Sequence, residues 1–201
     1  MFILLLLNSF LYNKMNLHNL IDDTRTDKNT VHSYIPLYEK LLRKKKDTAK
    51  NILEIGIYHG GSIKLWSDFF TNATIYGIDI IPMRSIWDEI KYKNNIILYS
   101  ETDAYDNNIV YRGFISNNIK FDFILDDGPH TLESMITFIK LYSELLEDDG
   151  ILIIEDIQSL DWINELKNTV AEDLKKYIKV YNLIQIKDRY DDIVFTIDKS
   201  L

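Results

Sequence analysis

The sequence predicts an α/β domain: a mostly parallel sheet of seven strands with an antiparallel hairpin at one edge and helices on both faces. Two observations predict it. From residue 50 onward, short apolar, β-rich runs alternate with amphipathic stretches, and such β-α-β alternation builds a parallel sheet covered on both sides. The last two runs, Val180–Ile186 and Ile193–Ile197, are joined only by the charged turn Lys187–Asp192. That link is too short for a crossover helix, so this pair is expected to run antiparallel.

In chain order, Asn51–Gly56 reads as a buried strand, followed by a helix from about Gly61 to Phe70. Thr74–Ile80 and Ile96–Tyr99 are the second and third strands; Phe121–Asp126 and Ile151–Asp156 are the fourth and fifth. Between those last two, Thr131–Leu146 carries Leu132, Met135, Ile136, Ile139 and Leu141 at helical spacing. Asp161–Ile178 reads as a helix by the same test. Residues 1–48 form an N-terminal extension, polar from residue 16 and helical over Ser33–Arg43, leaving 49–201 as the ligand-binding domain. No internal repeat or Pro-rich linker divides the chain, and 201 residues suit one core.

Composition narrows the function. A net charge of −8 disfavours partners held through phosphates, so no nucleic-acid partner is expected. The basic run Arg43–Lys46 reads as a solvated helix end, its cations near the negative dipole terminus. With no cysteine, disulfides, thiolate catalysis and zinc–thiolate sites are excluded; a cytoplasmic location is expected. Phe2–Leu7 and Phe10–Tyr12 look like a signal-peptide core. No Lys or Arg precedes them, however, no small-residue cleavage site follows, and a bilayer span takes about 20 apolar residues. Stable membrane insertion is therefore not expected. Residues 1–14 read either as lying upstream of a start at Met15 or as an apolar arm packing on the domain or on a second subunit, as in a homo-oligomer.

The densest information lies in Asn51–Ser62. Three of the seven glycines fall within residues 56–61, where a strand runs into Gly56 and a turn with Gly60 and Gly61 opens a helix. Glycines there let backbone approach a ligand closely. The spacing is not the G-x-G-x-x-G that grips a pyrophosphate, and Glu54 beside the turn would repel phosphate while suiting a cationic ligand such as a sulfonium amino acid. Asp79 ends the second strand about 20 residues past the turn, where a carboxylate can accept both ribose hydroxyls. The expected cofactor contacts are Glu54, Gly56, Tyr58, Gly60, Ser62, Asp79 and Ile80. The plainer alternative is a βαβ unit without a ligand.

A second constellation follows. Strand four ends in Asp126-Asp-Gly-Pro-His130 and strand five in Ile154-Glu-Asp156, both at the carboxyl edge where such sheets bind ligands. Asp127, Glu155 and Asp156 can converge on one hard cation, and all-oxygen ligation favours Mg²⁺ or Mn²⁺. His130, across a stiff Gly-Pro turn, can take the proton of a hydroxyl acidified by that cation. Alternatively, Asp126 caps the turn and His130 opens a helix.

Leu53-Glu-Ile-Gly56 with Gly60, Gly61 and Ser62, then Tyr76-Gly-Ile-Asp79, resemble motif I and the following acidic motif of class I S-adenosylmethionine (SAM)-dependent methyltransferases, which have a Rossmann-like fold. Thr26-Asp-Lys28, His32, Tyr34 and Tyr38-Glu39 resemble the lead-in of one subgroup, the macrocin- and mycinamicin-type sugar O-methyltransferases related to the cephalosporin-hydroxylase-like group. The resemblance spans residues 21 to 198. It implies SAM as cofactor, with Asp103, Asp126 and Asp27 added to its contacts. It also implies Mg²⁺ on Asp127, Glu155 and Asp156, with His130 and Asp127 as the catalytic pair. The acceptor it implies is a sugar or glycosylated small molecule, in glycan or natural-product biosynthesis. Pro129 replaces the commoner serine, and Gln158–Asp161 departs from the subgroup where the acceptor is chosen. A catechol-like phenol is the alternative acceptor and a non-catalytic SAM-binding subunit the alternative role; RNA ribose is disfavoured by charge. Abundant Ile, Asn and Lys suit an AT-rich genome, placing the enzyme in the host cytoplasm if that genome is viral.

Overall fold

A computed structural model of the chain describes residues 16–200; the expected apolar arm over residues 1–14 lies outside the described residues. The strands are β1 Asn51–Ile55, β2 Thr74–Ile78, β3 Ile96–Tyr99, β4 Phe121–Asp126, β5 Leu146–Ile154, β6 Ile178–Asn182 and β7 Ile193–Asp198. They form one sheet in the order β3-β2-β1-β4-β5-β7-β6. β1 through β5 are parallel to their neighbours, while β7 enters between β5 and β6 and pairs antiparallel with both. The strand order reverses direction between β1 and β4. In open α/β sheets the crevice at the carboxyl ends beside that switch is where ligands bind.

The helices are α1 Leu17–Leu20, α2 Ile35–Leu42, α3 Gly61–Phe69, α4 Asp88–Lys91, α5 Asn107–Val110, α6 Leu132–Tyr142, α7 Ile163–Thr169 and α8 Ile184–Lys187. Strand side chains alternate between faces with period two. Ile52, Ile75, Phe123 and Ile151 join Tyr38, Trp66 and Phe69 on one face. Leu53, Ile124, Leu152 and Phe195 join Phe114, Phe138 and Tyr142 on the other. Each fully buried aliphatic or Phe side chain stabilises the fold by roughly 1.5–3 kcal/mol relative to exposure, so the two clusters fix which face every helix covers. Leu17, Tyr34, Ile35 and Tyr38 lie in the first cluster, so the described part of the extension, from residue 17 on, is built into the core.

Four local expectations are corrected. The single helix over Asp161–Ile178 is a short α7 between 3₁₀ turns at Leu160–Trp162 and Lys175–Tyr177. The β-branched pair Thr169–Val170 ends it, because Val170 turns extended and buries its side chain. The sixth strand ends at Asn182, whose Oδ1 accepts from the Ile184 amide and starts α8 where strand was expected. The helix over Thr131–Leu146 stops at Tyr142 and closes in a 3₁₀ turn, Ser143–Leu145. β5 begins early, at Leu146, and stops at Ile154, leaving Glu155 and Asp156 in the loop beyond it.

Candidate active site

Gly56 leaves β1 with φ +80°. Its amide donates to the Ile78 carbonyl at 3.0 Å, and a Cβ on it would run into the Asp127 carbonyl oxygen. Only glycine lets the β1 and β4 turns touch there. Asp79, just past β2, holds the next turn: its Oδ2 accepts from the Ile57 and Tyr58 amides at 2.8 Å each, and its Oδ1 from the Ile81 amide at 3.1 Å. A carboxylate offers about four lone-pair sites, so one remains for a ligand, where the sequence suggested it could take both ribose hydroxyls. Gly61 opens α3 pressed against the Arg25 carbonyl, which brings the N-terminal segment over the turn.

These elements border one cleft of ≈ 1150 Å³. Gly56, Tyr58, Ser62, Asp79, Ile80 and Asp103, all expected as cofactor contacts, line one side of it; Tyr58 and Ile80 stand at the rim, 69% and 73% exposed. Asp27 lines it from the N-terminal segment, and Asp127, His130 and Asp156 close the far end.

Four expected site residues stand behind the wall instead. Glu54 is fully buried and accepts from Trp66 Nε1 at 2.9 Å; burial pushes its carboxyl up to about 7. Lys28 Nζ lies 4.0 Å from its Oε1. Gly60 caps α3 at φ +93°, and a Cβ there would strike the Ile90 side chain. Asp126 is buried, accepts from Tyr105 Oη at 2.6 Å and is pushed up by burial to about 7. Glu155, 1% exposed, accepts hydrogen bonds from Lys28 and from Tyr38.

At the far end, His130 Nε2 lies 3.2 Å from Asp127 Oδ1 and its Nδ1 3.4 Å from Asp156 Oδ2. One ligand atom from each of these three residues fits within 4.8 Å. His130 and Asp156 both hold left-handed backbone, φ +55° and +56°, a conformation that costs about 1–3 kcal/mol in a non-glycine residue and clusters at functional sites. Burial works against the His130 imidazolium, but Asp127 and Asp156 outweigh it and raise its pKa. Burial and the Asp127 charge raise Glu155 and Asp156. Burial would also raise Asp127, yet Lys28 and His130 hold it below the usual carboxylate range.

A supporting layer escaped sequence reasoning. Tyr34 donates to Asp156 Oδ1, and burial raises the pKa of this phenol, keeping it the donor. His32 Nδ1 lies 2.7 Å from Asp192 Oδ1 and 3.3 Å from Asp156 Oδ1, and the Ser33 amide donates to Asp192 Oδ2. Lys28, His32, Tyr34 and Tyr38 stand in the lead-in segment whose resemblance was legible. Asp192 carried no signal, because an acidic residue in a charged turn reads as solvated.

The sheet order, the glycine turn after β1 and the acid after β2 define a Rossmann-like fold of the class I methyltransferase type. The chain belongs to the methyltransferase-domain family, whose model matches residues 53–157, just over half of it. Among curated relatives, it is 25% identical over 144 residues to 8-demethyl-8-alpha-L-rhamnosyl tetracenomycin-C 2'-O-methyltransferase of Streptomyces olivaceus, covering 68% of this chain and 36% of that protein. It is 27% identical over 139 residues to mycinamicin VI 2''-O-methyltransferase of Micromonospora griseorubida, covering 66% and 33%. The chain thus spans about a third of the length of the curated relatives it matches. Among solved structures, MycE methyltransferase in complex with Mg, SAH and mycinamycin VI superposes with a TM-score of 0.64 at 19% identity, over 84% of this chain and 50% of that one.

Proposed function

We propose that the chain is a SAM-dependent, Mg²⁺-assisted O-methyltransferase acting on a hydroxyl of a sugar or glycosylated small molecule. The observation that carries this reading is the single cleft with the Gly56–Asp79 turn on one side and Asp127, His130 and Asp156 at its end. The matched relatives named above are O-methyltransferases of a rhamnosyl tetracenomycin and of mycinamicin VI by name, and the MycE structure holds Mg and SAH. Residues 49–201 are the SAM-binding domain and residues 1–48 its N-terminal extension. The acceptor is a small molecule rather than a nucleic acid, in keeping with the net charge of −8, and the reaction is cytoplasmic. Among the described residues no helix is long and apolar enough to cross a membrane. Association into a homo-oligomer is compatible with this scheme.

Both groups fit the residues present. The cleft is roomy enough for a nucleoside–amino acid cofactor with an acceptor beside it. Gly56 keeps the turn open, Asp79 would offer its remaining lone-pair site to a ribose hydroxyl, and Asp103, exposed on the cleft wall, would serve the adenine end. For the cation, Asp127 and Asp156 supply hard oxygen donors beside the His130 imidazole. Burial and the neighbouring Asp127 charge raise Glu155 and Asp156, which is in keeping with a site that a further cation would stabilise. A divalent ion supplies Lewis acidity, lowering the pKa of an acceptor hydroxyl.

His130, whose Nε2 is held 3.2 Å from Asp127 Oδ1, would take the hydroxyl proton on its other ring nitrogen, Nδ1. Methyl transfer is an in-line displacement at carbon, so fixing the acceptor oxygen against the methyl group supplies much of the rate. The β1/β4 contact at Gly56 provides that alignment by bringing the cofactor turn and the Asp127 loop together. The test is methyl transfer from labelled SAM to a panel of nucleotide sugars and deoxyhexosides, with Mg²⁺ and with EDTA. Mg²⁺-dependent label in a sugar is the expected result. Label only in catechol-like phenols would replace the acceptor class; SAM binding with no transfer to any acceptor would leave a non-catalytic subunit.

A further inference from the structure

Lys28 is the one lysine whose ammonium lies inside the carboxylate cluster among the described residues. It is 1% exposed. Its Nζ donates to Asp127 Oδ2 at 2.6 Å and to Glu155 Oε1, and lies 4.0 Å from Glu54 Oε1. Three carboxylates within 4.0 Å offset the burial of this ammonium. The residue comes from the N-terminal segment, 99 positions from Asp127 and 127 from Glu155. One positive charge thus stands among Glu54, Asp127 and Glu155.

The two oxygens of Asp127 are divided. Oδ2 belongs to Lys28, while Oδ1 faces His130 and, across the imidazole, Asp156. Glu155 is turned away from this trio; its two oxygens serve Lys28 and Tyr38. A buried ammonium in contact with a carboxylate that also faces the cation position repels any divalent ion there, since like charges a few ångströms apart interact strongly at low dielectric.

We propose that Lys28 is a built-in counter-cation: it holds the acid cluster together in the metal-free chain and, by its charge, weakens the cluster's grip on a divalent ion. This rests on the reading that the cluster takes such an ion. A cluster neutralised only by metal would bind it tightly and fall apart without it. One carrying its own ammonium stays formed and binds the metal reversibly. Because Lys28 sits in the segment that lines the cleft through Arg25, Thr26 and Asp27, the same contact pins that segment over the site.

The experiment is calorimetric titration of Mn²⁺ into the full chain as wild type, Lys28→Met, Lys28→Arg, Glu155→Gln and the double variant Lys28→Met/Glu155→Gln, with folding followed by circular dichroism. Lys28→Met is expected to bind Mn²⁺ at least tenfold more tightly than wild type and to melt at a lower temperature without metal. Lys28→Arg, which keeps the charge, is expected to stay within about threefold of wild type. Should Lys28→Met fail to fold, the comparison moves to the Glu155→Gln background. There the double variant removes the pair without changing net charge, and it is expected to bind at least tenfold more tightly than Glu155→Gln alone. A purely structural lysine would weaken binding or leave it unchanged when removed, and either result overturns the proposal. Wild-type binding that is insensitive to Lys28 overturns this inference alone, whereas absence of Mn²⁺ binding in every variant overturns the metal reading and this inference with it.

Discussion

The α-carbon of Gly56 packs against the main chain of Asp127, so closely that a single added methyl group would overlap the Asp127 carbonyl. The Asp127 amide in turn donates to the Ile55 carbonyl at 2.8 Å. The cofactor turn and the acid loop are thereby one mechanical unit, and each part of the site can be tested through that coupling.

Gly56→Ala faces both the backbone collision and a φ of +80°. It is expected to lower stability by about 2–4 kcal/mol and to reduce S-adenosylhomocysteine affinity at least tenfold. Gly113→Ala is the control, because nothing lies within 4 Å of the added carbon and removing a helical glycine stabilises by up to about 1 kcal/mol. Equal melting temperatures for the two variants would contradict the close approach.

Asp79→Asn leaves one of three backbone amides facing an NH₂ group instead of an acceptor, since both carboxylate oxygens accept in the native turn. An unsatisfied amide costs about 1–3 kcal/mol. The expected outcome is a tenfold or greater loss of S-adenosylhomocysteine affinity with Mn²⁺ binding unchanged. Loss of both together would show that Asp79 acts on the whole fold.

Asp127→Asn is expected to abolish Mg²⁺-dependent methyl transfer while cofactor affinity stays within about threefold, because the turn proposed to grip the cofactor is built from Gly56 and Asp79. Calorimetry with S-adenosylhomocysteine beside a turnover assay separates the two. A parallel fall in both would remove Asp127 from its catalytic role.

Glu54 carries a pH signature. Burial raises its folded-state pKa to about 7 from an ordinary value of 4.5, so its contribution to stability is fully present below pH 4.5 and is lost as pH rises through 7. The melting temperature of wild type relative to Glu54→Gln is therefore expected to fall between pH 5 and pH 8. A difference that stays flat, or rises, would mean that Lys28 and Trp66 stabilise the carboxylate more than burial opposes it.

Much of this architecture was legible because it is written in local patterns. β1 and β2 begin where the apolar runs were read, the closing pair is antiparallel, and the helix after Thr131 starts at its capping box with Ser134. The glycine cluster located the turn, and two strand ends lying side by side put Asp127, Glu155 and Asp156 together; in the fold it is Asp127, His130 and Asp156 that meet at the cleft. Less legible were the ends of elements. Val170 leaves its helix to reach the core, and Asn182 turns the chain by accepting a backbone hydrogen bond; neither choice shows in hydrophobic periodicity.

By itself, then, the sequence determined a mostly parallel sheet closed by an antiparallel pair, the turn at Gly56 and the set of acids at the carboxyl edge. All of these are encoded within a few residues of one another or by simple alternation. Only the tertiary structure decided which acids face the cleft. Glu54 and Glu155 were read as ligand contacts, yet they are turned into the core by Trp66, Lys28 and Tyr38. The physical reason is charge balance in a buried volume: a carboxylate removed from water needs donors or a cation, and those partners come from segments far away in the chain. A lysine in a polar stretch looks solvated until the fold places it among three carboxylates.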